Sequence, residues 1–458
     1  MKLRRVMIAA PKSGSGKTMI TCALLQAFSD RGEKVRAYKC GPDYIDPMFH
    51  KKVLGIPSGN LDTFFTGEED TREILLDDAD EKNMVIIEGA MGFFDGLGGV
   101  REEGSSYHLA KTTKTPVVLV VDVKGMGVRS IVALIAGFLS YDKEKLIKGV
   151  ILNRISEGYF RTIKSLMEAE LQISVVGFMT EAKELAVESR HLGLVMPEEL
   201  MAIKERLREA ADKLSLSVSL SAIMEIAESA EELNTCAKRK GEEKERKGHA
   251  VIAVAKDEAL CFYYRENLSL LERNGAELQF FSPLHDRELP PGCHGVLLGG
   301  GYPELYAEEL GRNHSMHKSI WRAVEEGMPI VAECGGFMYL HSFLRDQHGI
   351  KYPMAGVMKE TCFYTDKLVR FGYIEIEERK SAFLPEGTRI RGHEFHYYDS
   401  TDNGNGAIAI KPVTGKRYPC VIQGENCWLG FPHLYYPSNP AFARLFVEKA
   451  ARYRVSKG

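Results

Sequence analysis

A chain of 458 residues is longer than one ordinary hydrophobic core serves, so two or three domains are expected. It is 44% hydrophobic and 27% charged, and its 60 Lys and Arg nearly balance 63 Asp and Glu, giving a net charge of −3. That balance gives no electrostatic reason to expect nucleic acid or an anionic membrane as a partner, and no apolar run approaches the ~20 residues that span a bilayer. The nine cysteines show no CxxC spacing, which argues against structural zinc or a disulfide framework and fits a reduced cytoplasm.

The basic start "MKLRR" precedes only "VMIAA" before Pro11 and Lys12, so it is a first strand rather than a signal peptide. Next, "PKSGSGKT" leads into "KTMITCALLQAFSDRG", helical in spacing with a glycine stop. Strand, Gly-rich loop and helix start are the setting that a Walker A phosphate loop requires. There, helix-start N–H groups cradle phosphate oxygens, and Gly14 and Gly16 admit close backbone approach. Lys17 would reach the β- and γ-phosphates, and Thr18 is placed to ligate Mg2+. Pro11 stands at the first motif glycine, so the match is incomplete. Lys12 falls where deviant Walker ATPases of the Min/Par group carry a second lysine, but a solvated loop lysine is the simpler account.

Further strand-like runs are "KVRAYKC", "NMVIIEGA", "TPVVLVVDV", "IKGVILNRI" and "ISVVGFM". Near-continuous Val, Ile and Leu alternating with helices predict an α/β fold, a parallel sheet covered by helices on both faces. In "KCGPDYIDP", Lys39, Asp43 and Asp46 cluster within a rigid Gly/Pro turn. Glu88 ends "NMVIIEG", where a Walker-B-type acid holds Mg2+ directly or through water, and Asp46 is its metal companion. Asn153 follows a strand at a place suited to reading an adenine edge, although asparagine is common in such turns.

Residues 196–233 look helical, and 234–249, "NTCAKRKGEEKERKGH", lack large apolar residues and read as a charged linker. A fresh strand, "AVIAVA", opens a second α/β domain at residue 250. Within it, "PIVAECGG" is a strand ending in a sharp turn at Cys334, where the helix start would favour the thiolate. A buried, inert thiol is the bland alternative. A nucleophilic cysteine needs a base; His433 in "WLGFPHLYY" is the best candidate, with His393 and His396 competing. The glycines of "LLGGGYPE" supply N–H groups for an oxyanion hole, and the set describes thioester chemistry on an amide.

Taken in order, "APKSGSGKT", "YKCGPDYIDP", "IIEGAMGFFDG", "GVILNRI", "ESRHLGLV", "GGGYPELY", "AECGGFMYL" and "GHEFHYYDS" resemble the cobyrinic acid a,c-diamide synthases. These join an amidoligase related to dethiobiotin synthetase to a class I glutamine amidotransferase domain. The resemblance covers nearly the whole chain and implies an amidoligase domain over 1–233, a linker over 234–249 and an amidotransferase domain over 250–458. It implies that Cys334 attacks glutamine with His433 shuttling the proton, while ATP activates a carboxylate of a tetrapyrrole polycarboxylate, in cobalamin synthesis the a and c acetates of cobyrinic acid. Thr18, Asp46 and Glu88 would hold Mg2+, Asn153 would contact adenine, and Lys39 and Asp43 would face the substrate. Nickel sirohydrochlorin and hydrogenobyrinic acid stay open as acceptors, the cobyric acid synthases rank lower, and a homodimer is compatible. Glutamine amidotransferases commonly place a glutamate two residues after the histidine; Tyr435 stands there, leaving the partner of His433 open, with Glu394 one candidate. The rival class is a Min/Par-like ATPase switch.

Overall fold

Seven strands make one parallel sheet in the N-terminal half: β1 (Arg4–Ala9), β2 (Lys34–Cys40), β3 (Ser58–Leu61), β4 (Asn83–Glu88), β5 (Val117–Asp122), β6 (Ile147–Asn153) and β7 (Ser174–Met179). The computed structural model describes residues 1–458 apart from 79, 182–196, 235–249, 382 and 458, and it divides into the units Met1–Cys236 and Ala237–Gly458. The linker expected at 234–249, apart from Asn234, and the stretch "ESRHLGLV" lie outside the described residues.

In the first unit the strand order is β3-β2-β4-β1-β5-β6-β7. Parallel strands buried on both faces need apolar side chains on both, which is why β1 is apolar over Val6–Ala9 after its two arginines and β5 is aliphatic from Val117 to Val121. Helix α1 (Lys17–Asp30) leaves β1 at the point where the strand order reverses, and α2 (Ile45–Leu54) leads from β2 to β3. Open α/β sheets bind ligands at the carboxyl ends of strands beside such a switch. Register then sets neighbours there: Glu88 lies level with Lys39 on one side and with Ile8 on the other.

Each strand expected in this half forms, and the helical stretch after 196 holds the helices Pro197–Ser217 and Leu220–Glu228. Strand β3, "SGNL", has no sequence signal, because one leucine makes no apolar run; it forms by pairing with the edge of β2.

The second unit carries β8 (Ala250–Ala255), β9 (Leu260–Phe262), β10 (Ala276–Phe281), β11 (Gly295–Leu298), β12 (Gly300–Gly301) and β13 (Ile330–Glu333). A six-stranded sheet runs β10-β8-β11-β13 and then Cys427–Gly430 and Ile422–Gly424, with only the last pair antiparallel. A separate five-stranded antiparallel sheet includes Arg389–His396 and, at its edge, the short strand His433–Leu434.

Candidate active site

The phosphate loop is shaped by Gly16, which caps α1 at φ 91°, a left-handed conformation that strains any L side chain. A Cβ there would also stand 2.3 Å from Asn153 Nδ2. Asn153 is buried at the end of β6 and donates Nδ2 to the Ser15 carbonyl at 2.9 Å, so it braces the loop from the neighbouring strand. The Lys17 ammonium is buried and donates to the Met91 carbonyl at 2.5 Å. Burial, then the nearby charge of Lys39, lowers its pKa to about 8. Lys12 is exposed and takes part through its carbonyl, which accepts from Ser15 Oγ at 2.9 Å, in line with a solvated loop lysine.

Beside this loop Thr18 Oγ1 donates to Glu88 Oε1 at 2.6 Å, and Lys39 Nζ donates to the same oxygen at 2.8 Å. Lys39 Nζ also pairs with Asp46, so one ammonium joins the two carboxylates expected to hold a metal. Burial alone would strip these charges, but the cluster keeps them. Burial works against the Lys39 ammonium, and Glu88, Asp46 and Asp43 outweigh it and lift Lys39 well above the ordinary lysine value. Glu88 is likewise held well below the usual range against its burial, by Lys39 and His50, whereas burial and Glu88 raise Asp46 to about 6. Removing one partner from such a buried set costs about 3–5 kcal/mol.

Do these residues suit Mg2+? Two carboxylates and a hydroxyl are hard oxygen donors, and Mg2+ takes few protein ligands while keeping water. Glu88 Oε2 faces His50 Nε2 at 3.5 Å and meets no closer hydrogen-bond donor, which leaves a buried lone pair for a cation. The donor set fits. Asp43 is exposed, and its Oδ1 accepts the Ile45 N–H at 2.7 Å, starting α2. His50 was not legible as part of this cluster in "DPMFHKK"; only the packing of α2 on β2 and β3 brings it to Glu88 at the end of β4.

In the second unit Cys334 sits between β13 and the helix Gly335–Leu340 at φ 45° and ψ −103°, a conformation that non-glycine residues rarely adopt. Its N–H donates to the Gly430 carbonyl at 2.8 Å, and Gly336 N–H donates to Gly299 at 2.8 Å, tying the corner to the glycine loop. The His433 ring lies against that same loop, since a Cβ on Gly300 would stand 2.4 Å from His433 Cε1. Gly300 is thus the common neighbour of the cysteine corner and the histidine. The Gly299 and Tyr302 N–H groups are already used, by the Tyr263 hydroxyl and the Ala259 carbonyl, each at 2.8 Å.

The expectation of a thiolate favoured by the helix start is not what this site shows. Burial, then Glu304, pushes the Cys334 thiol well above the ordinary cysteine value. Burial and the neighbouring His393 and His396 hold His433 well below its usual value, so it is a neutral base. Both groups are thus uncharged where they border the glycine loop, His433 at Gly300 and the cysteine corner through Gly335.

The competing histidines have other duties. His393 pairs across strands with His433, stacks on it at 4.9 Å, and its Nδ1 meets the Tyr264 hydroxyl at 3.2 Å. His396 Nδ1 bonds the Tyr398 carbonyl at 2.6 Å while its ring stacks on Phe431. Glu394 is bonded by the Tyr418 hydroxyl with Lys411 at 3.8 Å, and lines a small cleft with Arg370 and Pro432. A carboxyl of a different kind links the two halves of this site. Glu333, one residue before Cys334, accepts the Leu434 N–H at 3.3 Å and the Tyr436 hydroxyl at 3.0 Å. Its signal in the sequence was a single acid inside the apolar run "PIVAEC".

Among the described residues all eight cysteines are free, and no helix is long and apolar enough to cross a membrane. Residues 6–195 match the CobQ/CobB/MinD/ParA nucleotide binding domain, and residues 251–438 match the CobB/CobQ-like glutamine amidotransferase domain. The first unit is therefore a P-loop nucleotide-binding domain, and the second a glutamine amidotransferase-like α/β domain.

Relatives that carry the name cobyrinate a,c-diamide synthase include the following three. That of Caldanaerobacter subterraneus subsp. tengcongensis is 38% identical over 98% of this chain and 99% of its own. That of Listeria innocua serovar 6a is 39% identical over 96% and 98%, and that of Thermoplasma volcanium 38% over 99% and 98%. With both domains matched and identity sustained from end to end, this chain belongs to the cobyrinate a,c-diamide synthase family.

Proposed function

We propose that the protein is an ATP- and glutamine-dependent ligase that converts the a and c acetate carboxylates of cobyrinic acid to amides. Two chemically separate sites on one chain of this family support it most directly: a phosphate loop with a buried cation cluster, and a cysteine corner sharing a glycine loop with a histidine.

At the second site Cys334 Sγ attacks the side-chain amide carbon of glutamine. The developing oxyanion lies toward the glycine turn at Gly300 and Gly301. His433 takes the thiol proton and passes it to the leaving nitrogen, so ammonia departs and a glutamyl thioester remains; water then releases glutamate and restores the thiol. A buried, neutral thiol limits idle reaction in an unoccupied pocket.

At the first site a substrate carboxylate attacks the γ-phosphate of ATP, giving an acyl phosphate and ADP. Ammonia adds to the acyl carbon and phosphate leaves, forming the amide. Lys17 neutralises charge developing on the phosphates, and a bound phosphate restores the proton affinity that burial removes from its ammonium. Asn153 braces the loop and is assigned to the adenine side, and Lys39 and Asp43 to the substrate carboxylate. Thr18, Asp46 and Glu88 are assigned to Mg2+, which when bound supplies charge neutralisation at the phosphates.

The test is a mass-spectrometric product assay with ATP, Mg2+ and glutamine, offering cobyrinic acid, nickel sirohydrochlorin and hydrogenobyrinic acid in parallel. Doubly amidated cobyrinic acid is expected. Diamide from another macrocycle alone moves the acceptor, and ATP turnover without any amide would revive the switch reading.

A further inference from the structure

The cluster at the ends of β2 and β4 contains one more cation than a simple metal site requires. Lys39 Nζ touches Glu88 Oε1 at 2.8 Å and pairs with Asp46, and all three side chains are at most 8% exposed. Thr18 Oγ1 bonds the same Glu88 oxygen at 2.6 Å. The ammonium therefore sits among the three donors assigned to Mg2+. A cation on the open Glu88 Oε2 and on Asp46 would stand only a few ångströms from the ammonium that already bonds Glu88 Oε1 and Asp46, and like charges that close in a buried site repel strongly. Register fixes the arrangement, since Lys39 and Glu88 are level on adjacent parallel strands and Asp46 begins α2 just beyond β2.

We propose that Lys39 is a resident counter-ion that Mg2+ displaces, so that metal loading frees its ammonium for the incoming substrate carboxylate. This rests on the amidoligase reading for the identity of that carboxylate, but the exchange itself needs only the residues named. It gives the site an order. Without metal, Lys39 pairs with both buried carboxylates and holds them together. With metal and nucleotide bound, the carboxylates have a new partner and the lysine stem can swing its charge toward the acceptor. The acceptor would then find its cation only when the phosphoryl donor is loaded. Lys17, held by the Met91 and Lys12 carbonyls, is not part of the exchange.

The experiment is calorimetric titration of the full chain with MgCl2 alone, without nucleotide or substrate, for wild type and Lys39→Met. Removing the competing ammonium should tighten Mg2+ binding by about tenfold or more, and Mg2+ should raise the unfolding midpoint of the variant more than that of wild type. Equal or weaker Mg2+ affinity in Lys39→Met would overturn the proposal. If two unpaired carboxylates prevent that variant from folding, Lys39→Met/Asp46→Asn is compared with Asp46→Asn, and the same tightening is required. Because no substrate is present, failure of the product assay would overturn the proposed reaction while the Mg2+ comparison still decides the place of Lys39.

Discussion

Glu88 and Glu333 each end a buried parallel strand, at 0% and 5% exposure, yet the molecule holds them in opposite protonation states. Beside Glu88 stand Lys39 and His50, and the carboxylate stays charged despite complete burial. Beside Glu333 stand a tyrosine hydroxyl and a backbone amide, and burial raises its pKa to about 8. The residue type and its place on a strand are alike; the neighbouring strand decides the charge. Phosphate chemistry uses fixed charges around a loop, so the first site collects and balances them. The proposed thioester chemistry moves one proton between thiol and imidazole, and at the second site burial leaves both Cys334 and His433 uncharged.

The division of labour between these regions is broken most sharply by Cys334→Ser. It should lower glutamine-driven amidation by about four orders of magnitude. Amidation with added ammonium salts should persist, as followed by product mass. Lys17→Ala is the mirror case: synthesis from either nitrogen donor should fall by about 10²–10³-fold while glutamine hydrolysis continues. If ammonium fails to rescue folded Cys334→Ser, the two sites do not divide the reaction in this way.

A smaller change probes the shared glycine loop. The new methyl of Gly300→Ala meets His433 Cε1 at 2.4 Å and Nδ1 at 3.1 Å, so the ring must move. Glutamine hydrolysis should drop by about 10–100-fold, with ammonium-dependent synthesis unchanged, in paired kinetic assays.

The smallest effect sharpens the comparison of the two glutamates. Glu333 takes up its proton far more readily in the folded chain than near the ordinary value of 4.5, so the folded chain binds more protons between the two values. Its contribution to stability is whole below about pH 4.5, declines as pH rises, and is lost above about pH 8. Glu333→Gln should remove that decline, so its unfolding midpoint should lose a few degrees less than wild type across the window in calorimetric scans. An identical pH profile for both proteins would mean that Glu333 is not held neutral.

Much of this molecule is written in local patterns. The aliphatic runs of β1, β5 and β6, the loop "PKSGSGKT" and the corner "AECGG" are recognisable because backbone burial, phosphate approach and a sharp turn each demand particular residues at short spacing. Thr18, Asp46, Glu88, Cys334 and His433 could be singled out by chemistry and order along the chain. Strand β3 was silent because an edge strand can be held by ladder hydrogen bonds with little apolar content of its own. Only the tertiary structure decided that Lys39 joins Glu88 to Asp46, that His50 closes on Glu88, that His393 stacks on His433 and that Glu333 stays neutral. Protonation depends on the distance to other charges and on access to water, and residues that settle it here are separated by up to 103 positions, as for Glu333 and Tyr436.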